Sequence, residues 1–70
     1  MKFEPVKSSM ILGVSYNQVL FEMEVIFRTG EKYRYKNVPL FVYEGLMNAK
    51  SQGQYMRKHI LDRFDFERMN

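Results

Sequence analysis

The chain has 70 residues, a formal net charge of +3, no cysteine and 46% hydrophobic residues, of which aromatics make up 16% of the chain. That describes one small, ordered domain, because ordering it costs roughly 100 kcal/mol at about 1.5 kcal/mol per residue and the margin left over is thin. Disulfide and Cys-type zinc staples are excluded, which leaves self-association open as a source of stability. No apolar run reaches the roughly 18 residues of a membrane span, and MKFEPVKSS lacks the apolar stretch of a signal peptide, so the expected setting is cytoplasmic, with no membrane partner. Residues 1–30 carry three cations and three anions; residues 31–70 carry eight and five, so the whole excess of charge lies in the second half.

Met10 to Tyr16 reads as a first strand. The YNQV turn after it predicts a two-residue hairpin loop at Asn17 and Gln18, which pairs Val14 with Phe21 and Leu12 with Met23. The next segment alternates strictly, with Phe21, Met23, Val25 and Phe27 on one side and Glu22, Glu24 and Arg28 on the other, joined by Ile26, as in a half-buried strand.

The stretch EKYRYKNVP follows, and the loop before it decides which way Tyr33 and Tyr35 point. A two-residue loop at Thr29 and Gly30 sets Phe27, Val25 and Met23 against Lys32, Arg34 and Lys36, and unpaired buried charges cost several kcal/mol each. A three-residue loop from Arg28 to Gly30, with Gly30 left-handed, instead pairs Val25 with Tyr33 and Met23 with Tyr35. It also places Arg34 opposite Glu24 and Lys36 opposite Glu22. Both faces agree on this register, which makes the tyrosines core residues and not a platform for stacked bases.

After Pro39 the period becomes helical: Val42, Leu46 and Ala49 share a face with Gly45 beside them. A break at Ser51 to Gly53 and a second helix from about Gln54 to Arg63, burying Met56, Ile60 and the flank of His59, complete the chain. The expected architecture is an α+β domain spanning residues 1–70, a three-stranded antiparallel meander covered on one face by two C-terminal helices.

In order and spacing, VKSS, MEVIF, a glycine, YRY, NVP, VYEGLMNA and SQGQY resemble the KTSC domain, over Val6 to about Phe64. That family is a small module found at the C-terminus of some lysyl-tRNA synthetases and as a stand-alone protein of bacteria and their phages. Ser15 stands where the family favours glycine and Met56 where it favours phenylalanine. The resemblance implies RNA binding through attachment to a synthetase, and it transfers no catalytic residue.

The residues themselves also speak against an enzyme. There is one histidine, no nucleophile elbow and no phosphate loop, and His59 with Asp62 does not make a metal site, so no cofactor is expected. The candidate ligand-binding residues are Lys7, Ser8 and Ser9 before the first strand, and Ser51, Gly53, Tyr55, Arg57 and Lys58 around the second helix. If the two segments meet, hydroxyls, amides and cations converge on an anion such as RNA phosphate. In the plainer alternative Ser51 only caps the helix, Gly53 makes the turn, and Ser8 and Ser9 satisfy edge backbone groups. Two further readings stay open. One is a phage or prophage protein-interaction module or homo-oligomer contact using the outer sheet face, where Leu20, Ile26 and Ile11 lie beside Arg34 and Lys36. The other is a nucleotide-signal sponge lined by Lys7, Ser8, Ser9, Tyr55 and Arg57.

Overall fold

The computed structural model describes residues 8–70 and, at the backbone level, Glu4–Pro5. Five antiparallel strands, β1 (Glu4–Pro5), β2 (Ile11–Asn17), β3 (Glu22–Phe27), β4 (Lys32–Tyr35) and β5 (Phe66–Arg68), lie side by side in chain order. Helices α1 (Leu40–Asn48) and α2 (Gln52–Tyr55) come between β4 and β5, and α2 runs on into a π-helical turn, Met56–Ile60. The α+β class is as expected, but the meander gains an edge strand on each side. Neither strand carries a periodic signal: β1 is two residues ending in proline, which is confined to sheet edges, and β5 is three residues within a mixed-charge tail.

The β3–β4 hairpin has the expected register, with Met23 opposite Tyr35, Glu24 opposite Arg34 and Val25 opposite Tyr33. Gly30 sits at φ +97° and donates to Phe27 O at 2.9 Å, while Phe27 N–H reaches Glu31 O at 2.8 Å, closing the three-residue loop. A side chain with a Cβ would be strained at Gly30, which is why glycine occupies it.

The β2–β3 hairpin differs from expectation. Asn17 pairs with Glu22 and Val14 with Val25, so the loop is Gln18 to Phe21 and not Asn17 and Gln18. The Asn17 side-chain oxygen accepts from Val19 N–H at 2.9 Å and Leu20 N–H at 3.1 Å, and Phe21 turns the chain at φ 56°. An Asx turn thus lengthens the loop, a device that strand alternation does not register. A bulge between Ile11 and Gly13 then throws Leu12 outward, 46% exposed, and turns Ile11 inward opposite Phe27. Ile11 is therefore fully buried instead of sharing the outer face with Ile26, since one inserted residue inverts the alternation.

Ile11, Val14, Met23, Val25, Phe27 and Tyr35 form the inner face of the sheet, and Val38, Val42, Leu46, Met56 and Ile60 close over it. Met56 fills its place in this core completely. Tyr16 stacks on Tyr43 of α1, centroids 4.9 Å apart. Gly45 permits the two helices to approach: a Cβ there would stand 2.7 Å from Tyr55 Cζ. On the outer face Ser15 is buried with its hydroxyl unpartnered among the described residues, a polar cost that glycine would not carry.

Burial pushes the Tyr35 phenol up to about 12, helped by Tyr33 and Asp62. Unfolded tyrosine titrates near 10, so the folded state keeps a proton that the unfolded chain has already lost. This contribution to stability is complete below about pH 10 and declines as pH rises towards 12. The urea midpoint should fall across that window, and Tyr35→Phe should flatten the fall, leaving the share of Tyr16, whose pKa burial also raises.

The second helix begins and ends earlier than its apolar spacing implies. Ser51 caps it, its Oγ accepting from Gln54 N–H at 3.3 Å, so Gly53 lies inside the first turn and not in the connecting loop. Leu61 N–H closes the π turn on Met56 O at 2.8 Å, and Asp62 follows in a turn at φ 63°, so Asp62 and Arg63 are not helical. Ser51→Ala should cost about 1 kcal/mol in chemical denaturation, the usual worth of such a cap.

Candidate anion-binding surface

The cations of β4 and β5, and Lys36 beside them, are spoken for. Arg34 meets Glu24 through both Nε and Nη2 at 3.1 Å and Glu67 through Nη1 at 3.1 Å, with Glu22 at 3.7 Å. Lys32 pairs with Glu24 at 3.5 Å, Arg68 with Glu31 at 3.5 Å, and Lys36 with Glu67 at 3.8 Å rather than with Glu22. The unexpected β5 supplies Glu67, so four cations meet four glutamates on the strands and their flanks. The Glu24 hydrogen bond and its charge raise the Arg34 pKa still further.

The helix side is different. Lys50, Arg57 and Lys58 are exposed, and none has a carboxylate within ion-pairing distance among the described residues. Gln54, Arg57 and Lys58 line one hollow of ≈ 440 Å³. Gln54 and Arg57 also belong to a second, of ≈ 300 Å³, shared with Ser8, Ser9, Lys50, Ser51 and Gly53. The start of β2 and the beginning of α2 therefore meet, as the convergence of hydroxyls and cations requires. Lys7 lies outside the described residues.

Ser8 and Ser51 both serve the backbone, as the plainer alternative has it. Ser8 Oγ accepts from Met10 N–H at 3.1 Å and Ile11 N–H at 3.2 Å. A serine hydroxyl has two lone pairs and one proton, so Ser8 has only a donor left for a ligand. Ser51 likewise accepts from the backbone and keeps its proton. Capping the chain thus biases both groups towards acceptors such as phosphate oxygens.

Tyr55 is not part of this surface. Its ring packs over Gly45 of α1 and against His59, centroids 4.5 Å apart, while His59 itself is exposed, contrary to the burial its spacing implies, as are Gln54, Arg57 and Lys58. Lys50 and Gln54 join the set. Gln54 was legible as the last residue of an S-x-x-Q capping pattern.

Of the residues named for an outer-face contact, Ile26, Arg34 and Lys36 do share that face, and Leu20 lies away from it, as Ile11 does. Leu20 sits 58% exposed in the β2–β3 turn, Ile26 is half-buried, and Arg34 and Lys36 are held in ion pairs.

Sheet, paired helices and a basic helix flank define a small α+β module, and among the described residues no helix is long and apolar enough to cross a membrane. The KTSC domain family profile matches residues 7–64, and the chain belongs to that family. The chain is 38% identical over 64 residues to a lysine–tRNA ligase of Nostoc punctiforme and 36% identical over 64 residues to one of Trichormus variabilis. Each alignment covers 91% of this chain but only 11% of the ligase. The crystal structure of a KTSC domain protein from Yersinia pestis superposes with a TM-score of 0.96 at 29% identity, covering 99% of this chain and 97% of that one.

Proposed function

We propose that this KTSC domain is a non-enzymatic module that contacts the phosphates of RNA through Lys50, Arg57 and Lys58, with Ser8 and Ser51 donating from the adjoining hollow. The observation that carries the reading is the segregation of charge: Lys32, Arg34, Lys36 and Arg68 on and beside β4 and β5 are met by glutamates, while the cations of the α2 flank are left open to solvent. The relatives support it, since two proteins sharing this segment are named lysine–tRNA ligases. Cations on one flank position a backbone without reading its sequence. Three single-strand phosphate contacts give a log–log salt slope of about −2, at roughly 0.7 each. Fluorescence anisotropy with labelled RNA across a salt series tests this, and absence of binding at low salt ends it.

A second reading rests on the opposite end of the β2–β3 hairpin. Val19, Leu20 and Phe21 in its turn, and Leu40 and Phe41 at the start of α1, are all exposed, with Val19 at 84% and Phe41 at 71%. Val38 N–H donates to Phe21 O at 2.8 Å, tying the turn to the segment that leads into α1. Such a patch suits a protein partner or a second copy. Leu20→Asp with Phe41→Asp should then abolish any concentration-dependent association seen by ultracentrifugation without lowering thermal stability.

A further inference from the structure

The polar hollow has a neighbour that the phosphate reading does not use. Ser9 stands in its wall and also in the wall of a separate cavity of ≈ 340 Å³. That cavity is predominantly apolar, lined by Met10, Phe27, Tyr33 and Leu61, with Arg28 and Glu31 among its polar groups. Its volume lies in the range of small-ligand pockets, roughly 300–1,000 Å³. The two rings are fixed in place: Phe27 meets Tyr33 edge-on at 5.6 Å, and Phe66 of β5 stacks on Tyr33 at 5.3 Å.

Arg28 links the two hollows. Its Nε donates to Ser8 O at 2.7 Å and its backbone N–H to Met10 O at 3.0 Å, so the guanidinium is anchored to the segment that separates them. Its terminal nitrogens meet no carboxylate among the described residues and stay available to an anion.

An apolar, ring-lined cavity beside a cation and a donor-rich polar hollow matches a ligand that is a planar body joined to an anion. Taking the phosphate reading as given, we infer that the two hollows form one site for an unpaired nucleotide. The base lies among Phe27, Tyr33 and Leu61, and the backbone passes Arg28 and Ser9 towards Arg57. The RNA recognised is therefore single-stranded, because a paired base cannot leave its stack without an unstacking cost.

The test compares, on the unaltered protein at low salt, a short single-stranded RNA, a duplex and an abasic strand of equal phosphate number. Anisotropy should show the single strand binding about tenfold more tightly than the other two, within the range that one stacked base contributes. In NMR the Leu61 methyls should shift with the single strand alone, and Leu61→Gln should reduce its affinity to that of the abasic strand. Equal affinity for all three with Leu61 unmoved would overturn the nucleotide site while leaving phosphate contact standing. Failure of every ligand to bind would remove both.

Discussion

Arg57→Glu combined with Lys58→Glu is expected to weaken RNA binding by roughly a hundredfold at low salt and to flatten the salt slope by more than one unit, with no change in melting temperature. The size follows from sign as well as loss: two contacts that release counterions become two that repel the phosphodiester. The fold should not respond, because both side chains project into solvent from the α2 flank and neither takes part in an ion pair among the described residues. Lys36→Gln is the matching control. Lys36 is exposed too, but its charge is already met by Glu67 at 3.8 Å, so its removal should leave affinity nearly unchanged. If Lys36→Gln lost as much affinity as the helix double variant, binding would depend on overall charge and the assignment to α2 would fail.

Tyr35→Ala is expected to cost about 3–5 kcal/mol, the usual price of emptying a buried aromatic site. Tyr35 is 1% exposed, the largest fully buried side chain among the described residues, and it touches the rings of both Tyr33 and Phe66. A 70-residue domain has roughly 4–10 kcal/mol in total, so this one change should remove about a third of that stability or more. Circular dichroism during urea titration would show it as a midpoint lowered by about that fraction. Tyr33→Ala should be milder, because Tyr33 is only half-buried and lines the apolar cavity. A finding that Tyr35→Ala folds as well as the parent chain would mean that its ring is not part of the core.

The β3–β4 hairpin was legible in the sequence because two independent faces had to be satisfied at once. Only the three-residue loop ending at Gly30 both kept Lys32, Arg34 and Lys36 off the apolar side and brought Arg34 to Glu24. The β2–β3 hairpin offered no such double constraint. Its register was set by an Asx turn at Asn17 and a bulge at Leu12, local backbone choices that leave no trace in hydrophobic alternation. For the same reason alternation alone puts Ile11 on the outer face, whereas the bulge turns it into the core.

The serines and cations of the candidate surface could be named from chain order, since Ser51 precedes an amphipathic segment and Arg57 and Lys58 lie off its apolar side. Whether Ser8 and Ser9 would meet them was beyond sequence reasoning, as was the diversion of Tyr55 towards Gly45.

By itself, then, the sequence determined the class of fold, the inward tyrosines and the excess of positive charge in the second half, because burial and pairing of charge constrain each residue type strongly. Only the tertiary structure decided which of those charges remain unpaired. Glu67 reaches Arg34 and Lys36 solely because the last residues return as β5. Ser9 comes to border both hollows solely because the start of β2 packs beside α2 and the β3–β4 turn. These are meetings between segments far apart along the chain, and no local pattern encodes them.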